Sequence, residues 1–99
     1  MKEVYFHPKA PSEARELFRY YESISPELAE EFWAELESAI AYASKYPQRN
    51  HFDRIGVGLR RSNLKRFPVH FLYKVFDDYI RIAVIKHDKR NHRLGLKRK

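Results

Sequence analysis

Apolar residues recur along this chain with two different periods, and the change of period divides it. Val4-Tyr5-Phe6 is a short run of strand-forming residues closed by His7-Pro8. After Lys9-Ala10-Pro11, Ser12 is a good N-cap, and Glu13 follows where a helix start favours negative charge. Ala14, Leu17, Phe18 and Tyr21 then fall at i, i+3, i+4 and i+7, which predicts a helix to about Ile24. Ser25-Pro26-Glu27 restarts the pattern as N-cap, first helical residue and acidic first turn. Leu28, Phe32, Leu36, Ile40 and Ala43 step down one face of this second helix, widened by Trp33 and Ala39. Lys45 suits its negative end, and Pro47 forbids continuation. So short a connection predicts an antiparallel helical hairpin.

Tyr46 to Val57 is polar and turn-rich, a long loop and hence a candidate for mobility or partner contact. From Gly58 onward the period shortens to two. Leu59 to Leu64 reads as a strand, Lys65-Arg66 as a turn, and Phe67 to Phe76 as a central strand with apolar side chains on both faces. Val69, Phe71, Tyr73 and Val75 occupy one side, Leu72 and Phe76 the other, with Pro68 near the start, where a missing N–H does least harm. Asp77-Asp78 makes a tight turn into Tyr79–His87. There Ile80, Ile82 and Val84 alternate with Arg81, Ala83 and Ile85. One set is expected on the helices, and the other, with Arg81 and the small Ala83, forms the floor of a site. Residues 88–99 are mostly basic and are expected to be a strand extension or a mobile tail. The order β-α-α-β-β-β predicts an α+β fold. A short N-terminal strand and an antiparallel helical hairpin would pack on one face of a small, mainly antiparallel sheet, in one domain over 1–99.

Charge sharpens this picture. Residues 1–53 hold 6 Lys/Arg against 10 Asp/Glu, a net of −4, and residues 54–99 hold 14 against 3, a net of +11, which together give the whole-chain +7. The strand-rich half thus carries a field suited to a polyanion: nucleic acid, a ribosome surface or an acidic protein segment. The absence of cysteine excludes disulfides and thiolate metal sites and fits a reducing cytoplasm. No apolar run reaches the roughly 18 residues of a membrane span, and Met1–Pro8 has no apolar signal stretch, so a soluble cytoplasmic protein is expected.

Standard enzyme signatures are missing: no Gly-rich phosphate loop, G-x-S-x-G or H-E-x-x-H occurs among only three glycines. Glu13, Glu16, Glu30, Glu31, Glu35 and Glu37 are spaced as solvated helix surface. His70 and His87 lie in adjacent predicted strands and could act as base and acid in RNA cleavage, provided that strand register puts them on one face. The plainer reading makes them strand residues without chemistry. A zinc site would need His51 or His92 as a further ligand at a spacing that suggests none, so no metal or cofactor is expected. The basic residues are the stronger signal. Arg60, Arg61, Lys65, Arg66, Lys74, Arg81, Lys86, Lys89, Arg90 and Arg93 should partly converge on the sheet face the helices leave open. There they can grip phosphate or an acidic peptide. Tyr73 and Tyr79 interleave with them and could stack on bases.

The run from Gly58 to Val75, with Leu59-Arg60-Arg61 leading through Arg66-Phe67-Pro68 into Phe71-Leu72-Tyr73-Lys74-Val75, resembles the strand pair of the RelE/ParE toxin superfamily. Tyr79–His87 resembles the next family strand, which ends in His, and Asp88-Lys89-Arg90 the basic element after it. The short first strand and the hairpin with Ala14 and Tyr21 match too, so the resemblance spans nearly the whole chain. It implies the toxin of a type II toxin–antitoxin pair, neutralised by a cognate antitoxin whose C-terminal segment wraps it, and reaching operator DNA only through that antitoxin. ParE-like members poison DNA gyrase, and the longer hairpin and the R-F-P strand are closer to that branch. RelE-like members instead cut mRNA on the ribosome. Their pattern puts cations at Arg61 and Arg90, but Asn63, His70 and about Leu96 fall where a Lys, an Arg and a Tyr are expected, so catalysis there would rest on Arg61, His70 and Arg90. Whether the chain is an enzyme stays open at this stage. The target-binding residues expected under either mechanism are Arg60, Arg61, Lys65, Arg66, Arg81, His87, Lys89, Arg90 and Arg93. A non-toxic, basic nucleic-acid-binding module is the further alternative.

Overall fold

A computed structural model describes residues 1–98, and Lys99, the last residue of the expected basic tail, lies outside the described residues. The elements are β1 (Glu3–Phe6), α1 (Ala10–Ile24), α2 (Pro26–Lys45), β2 (Arg60–Asn63), β3 (Val69–Val75) and β4 (Tyr79–His87). They form the expected α+β arrangement, a helical hairpin against one face of a four-stranded sheet ordered β1-β4-β3-β2. β2, β3 and β4 run antiparallel, whereas β1 pairs parallel to β4 through Glu3↔Tyr79 to Phe6↔Ile82. The chain leaves β1 for the hairpin, descends to the far edge at β2 and meanders back to lie beside its own start.

Local chemistry sets the helix ends. Ser25 caps α2 as expected, its Oγ accepting from the Leu28 N–H at 3.1 Å, with Pro26 in the first turn. α1, however, begins at Ala10 rather than after Ser12. Pro11 fits the first turn because no amide donor is needed there, and the Ser12 hydroxyl donates back to the Lys9 carbonyl at 2.9 Å instead of capping. Small residues at the helix contact, Ala10, Ala14, Ala29 and Ala43, are fully buried and let the helices approach closely. Around them Tyr21, Phe32, Phe67, Phe71 and Tyr73 fill the main core with Val69, Ile80, Ile82 and Ile85. Each large apolar side chain removed from water contributes about 1.5–3 kcal/mol.

The faces of β4 depart from simple alternation. Leu72 pairs with Val84 but the next residue, Tyr73, pairs with Ile82, so Ala83 is an extra residue, a β-bulge. The bulge reverses the side-chain parity beyond it. Ile80, Ile82 and Ile85 therefore face the helices, while Ala83 and Val84 form a second apolar cluster with Leu59 and Leu72 on the opposite face. Val84 and Ile85 thus exchange the faces that strict alternation assigned them.

The second face is not left open, because residues 88–98 run back over it. They form neither an added strand nor a loose tail but successive turns, which set Leu94 and Leu96 on the second cluster. Lys86, 4% exposed, points into this segment, and its ammonium donates to the carbonyls of Asn91, His92 and Leu94 at 3.2, 3.1 and 3.0 Å. Burying an ammonium costs several kcal/mol, and three charge-assisted hydrogen bonds offset that cost. Arg98 completes the fastening: its guanidinium reaches Glu13 Oε2 at 2.7 Å and the bulge carbonyl of Ala83 at 3.3 Å. The long loop is fastened too, along β2, where the Arg61 N–H donates to His51 O and the Asp53 N–H to Leu59 O.

Gly95, at φ +83, lies so close to β4 that an added Cβ would stand 2.5 Å from Val84 Cβ, whereas Gly58, at φ +78, has open space around it. Gly95→Ala is therefore expected to cost about 2–4 kcal/mol from backbone strain plus overpacking, and Gly58→Ala about 1 kcal/mol from strain alone. Urea denaturation of the two variants checks this; equal losses would contradict the docking of the C-terminal turns on β4.

Candidate functional site

Strand register brings a polar group together at the end of the second face away from the β3–β4 turn. Asn63 pairs with His70 and His70 with Lys86, so the three side chains share that face with Arg61. Arg61 lies along it, its Nε donating to Asn63 Oδ1 at 2.8 Å. One residue past β4, Asp88 meets His70 Nδ1 at 2.7 Å and sits 3.7 Å from the Arg61 guanidinium. Asp53 approaches the same guanidinium at 3.9 Å, while its other oxygen accepts from the Ile55 and Gly56 amides at 3.1 and 2.7 Å. Phe52, Arg54, Ile55 and His92 wall a cleft of ≈ 580 Å³ above Arg61 and His70.

Burial lowers the His70 pKa from its ordinary value, and the hydrogen bond to the Asp88 carboxylate opposes that shift without reversing it. Asp53 is held below the usual carboxylate range: burial works against this, but the two loop amides and Arg61 outweigh it. Burial likewise lowers the Lys86 pKa, with Asp53 opposing. A neutral imidazole oriented by a carboxylate is the arrangement of a general base. His70 is only 3% exposed, however, and Lys86 is spent on backbone carbonyls, so the group offers little surface to a substrate. Among the described residues no three His, Asp or Glu side chains converge to hold a metal ion.

The residues singled out in the sequence are thus divided among several places. Arg61 and His70 meet. Arg90 lies apart, lining another recess with Lys9, Glu13, Glu16 and His87. His87 does not share a face with Arg81, because the bulge at Ala83 turns it to the helix side opposite Val69, and it cannot join His70 as an acid–base pair. Arg60 points toward the end of α2, its guanidinium donating to the Gln48 and Asn50 carbonyls and lying 4.0 Å over the Phe52 ring. The amides of Lys65 and Arg66 are clamped by Glu35 Oε2 at 2.6 and 3.0 Å, and the Arg66 side chain pairs with Glu31 at 2.9 Å, away from the cleft. Arg81 sits in register between Tyr5 and Lys74. Tyr73 is a core residue, its hydroxyl donating to Pro47 O. Lys89, Arg90 and Arg93 are exposed on the C-terminal turns, and within the described residues none of the three forms an ion pair. Sequence reasoning passed over Asp53, Asp88 and Lys86 as a group. Asp88 left one signal, being one of only three acids in the strongly basic half.

No protein-family model matches the chain, and a search of the curated proteins finds no match. Among solved structures, a chain of the "Chromosomal ParDE TA system from P. aeruginosa" is similar, with a TM-score of 0.76 and 20% sequence identity over 88% of this chain and 96% of that one. The likeness is one of fold, and at that level it agrees with the RelE/ParE resemblance of the sequence.

Because burial holds His70 neutral when folded, its protonation opposes folding. The unfolded chain binds the proton more readily, so stability is full above the unfolded pKa near 6.5 and falls as pH drops through the lowered folded pKa. Asp88→Asn removes the group that opposes the shift, so the His70 resonance should titrate at a lower pH in that variant by NMR. An unchanged or higher midpoint would remove Asp88 as its partner.

Proposed function

We propose that this chain is the toxin of a type II toxin–antitoxin pair and that it inhibits DNA gyrase by binding, as ParE-like toxins do. The carrying observation is the filled second face of the sheet. A nuclease needs that face open to RNA, but Leu94 and Leu96 cover its apolar middle, His70 is buried beneath the cleft, and Lys86 is enclosed. Lys89, Arg90 and Arg93, which form no ion pair among the described residues, stand exposed on the C-terminal turns, where they can meet a large anionic assembly such as gyrase on DNA. The fold shared with the ParDE structure supports the same reading.

The cognate antitoxin fits a different place, the outer edge of β1. The Glu3 and His7 amides donate to Asp78 and Ile82, so strand alternation turns the backbone groups of Val4 and Phe6 away from β4. They face an apolar groove of ≈ 550 Å³ between β1 and the hairpin, lined among others by Pro11, Ala14, Trp33 and Ile40. An extended antitoxin segment laid there gains strand hydrogen bonds and apolar contact together. Operator DNA would then be reached only through the antitoxin.

The second reading, a RelE-like endoribonuclease acting on ribosome-bound mRNA, is favoured by one observation, the Asp88–His70 contact beside Arg61. The two readings separate in one experiment. Purified gyrase should lose supercoiling activity in the presence of the protein at physiological salt. Arg90→Ala with Arg93→Ala should weaken that inhibition about tenfold, in keeping with two lost charge contacts, and His70→Gln should leave it intact. Unimpaired supercoiling, together with codon-phased mRNA cuts that vanish in His70→Gln, would overturn the gyrase reading in favour of the nuclease.

A further inference from the structure

A second cluster of cations and rings lies at the opposite end of the sheet, beside the β3–β4 turn, and apart from Phe52, which also walls the cleft, it belongs to neither the cleft nor the C-terminal turns. Lys2, Phe52, Arg60, Lys74 and Phe76 line a recess of ≈ 350 Å³ there. Arg60 lies 4.0 Å over the Phe52 ring, and Lys74 Nζ lies 5.3 Å from the Phe76 ring centre. The row of rings continues past the recess. Phe76 stacks on Tyr79 at 4.5 Å with 14° between the planes, and Tyr5 meets Tyr79 edge-on at 5.1 Å. Phe52 and Tyr5, at the two ends of this row, are 58% and 51% exposed.

Large exposed rings are costly to keep in water unless something covers them, and here they alternate with cations instead of forming a purely apolar patch. We propose that this row is a stacking surface for single-stranded nucleic acid. Bases would lie on Phe52, Phe76 and Tyr5, with phosphates between them on Lys2, Arg60 and Lys74. The nearby acids limit the role of charge. Glu3 accepts from the Tyr5 hydroxyl at 2.9 Å, and Asp77 and Asp78 form the adjoining turn. Stacking therefore supplies more of the affinity than phosphate contacts do, and the surface favours unpaired bases over a duplex, whose rings are already stacked. The inference goes beyond gyrase inhibition and stands whether or not that reading holds.

The test is fluorescence anisotropy of the full-length protein with labelled single strands of about a dozen nucleotides, within the span that such surfaces cover. Oligo-dT and oligo-U are compared with a duplex of the same length, which also distinguishes DNA from RNA as the bound strand. Both or one of the single strands should bind more tightly than the duplex. Three phosphate contacts predict a slope of log affinity against log salt of about −2. Tyr5→Ala and Phe52→Ala, both at exposed positions, should each weaken single-strand binding at least about fivefold. Lys74→Glu should weaken it further, with circular dichroism and the melting temperature confirming that each variant is folded. Wild-type affinity in folded Tyr5→Ala and Phe52→Ala, with loss only in Arg90→Ala plus Arg93→Ala, would overturn the proposal and assign nucleic-acid binding to the C-terminal turns. Absence of single-strand binding by the wild-type protein would overturn it as well. Supercoiling inhibition is scored separately on the same preparations, so failure here is distinguishable from failure of the gyrase reading.

Discussion

One extra residue in β4 organises much of the molecule. Ala83 bulges out of its pairing with β3, and every side chain after it changes face. Ile85 turns into the main core, Val84 turns outward, and Lys86 comes to lie beside His70 on the far side of the sheet. The small side chain of Ala83 and the hydrogen of Gly95 leave room for the returning chain to touch β4 closely. The backbone groups that β1 no longer covers past Phe6 are satisfied in the same neighbourhood. Glu13 accepts the Ile85 N–H at 3.2 Å and holds Arg98, which in turn takes the bulge carbonyl. The C-terminal turns, the first turn of α1 and the middle of β4 are therefore one connected unit.

The concentration of positive charge in the second half has a different meaning once the partners are known. Read along the chain, it describes a basic surface. In the fold, Arg60 serves the loop after α2, Arg66 pairs with α2, Lys86 clamps backbone carbonyls and Arg98 meets α1. A large share of the cations thus does structural duty, and the charge with room for a partner lies away from the centre of the sheet, on the C-terminal turns and beside the β3–β4 turn.

The helices and strands were legible because their signals are local. The stripe from Ala14 to Tyr21, the Ser25-Pro26 start and the apolar and aromatic run over Val69–Val75 each settle an element with little help from elsewhere. The course of β4 was not, since Ile80-Arg81-Ile82-Ala83-Val84-Ile85 satisfies strict alternation equally well, and only the packing of Leu94 and Leu96 against Val84 decides between the two. The start of α1 lies three residues before the expected one because Ser12 is a good cap in isolation, while Pro11 tolerates the first turn. Within the site, Arg61 and His70 could be singled out by residue type. Their bond to Asp88 and the burial of Lys86 depend on a return of the chain that basic, weakly patterned residues do not announce.

The pairing of β1 with β4 also constrains how the protein comes into being. Glu3 and Tyr79 are neighbours in the sheet but are separated by most of the chain, so this contact closes a very long loop and ranks among the slow steps of folding. During synthesis the hairpin can form early, yet β1 has nothing to pair with until residues 79–82 have emerged, and the turns that cover the second face come later still. A chain still attached to the ribosome therefore has an incomplete sheet, an uncovered apolar face and scattered cations. Whatever activity depends on the completed sheet and its covered face begins only after translation is all but finished.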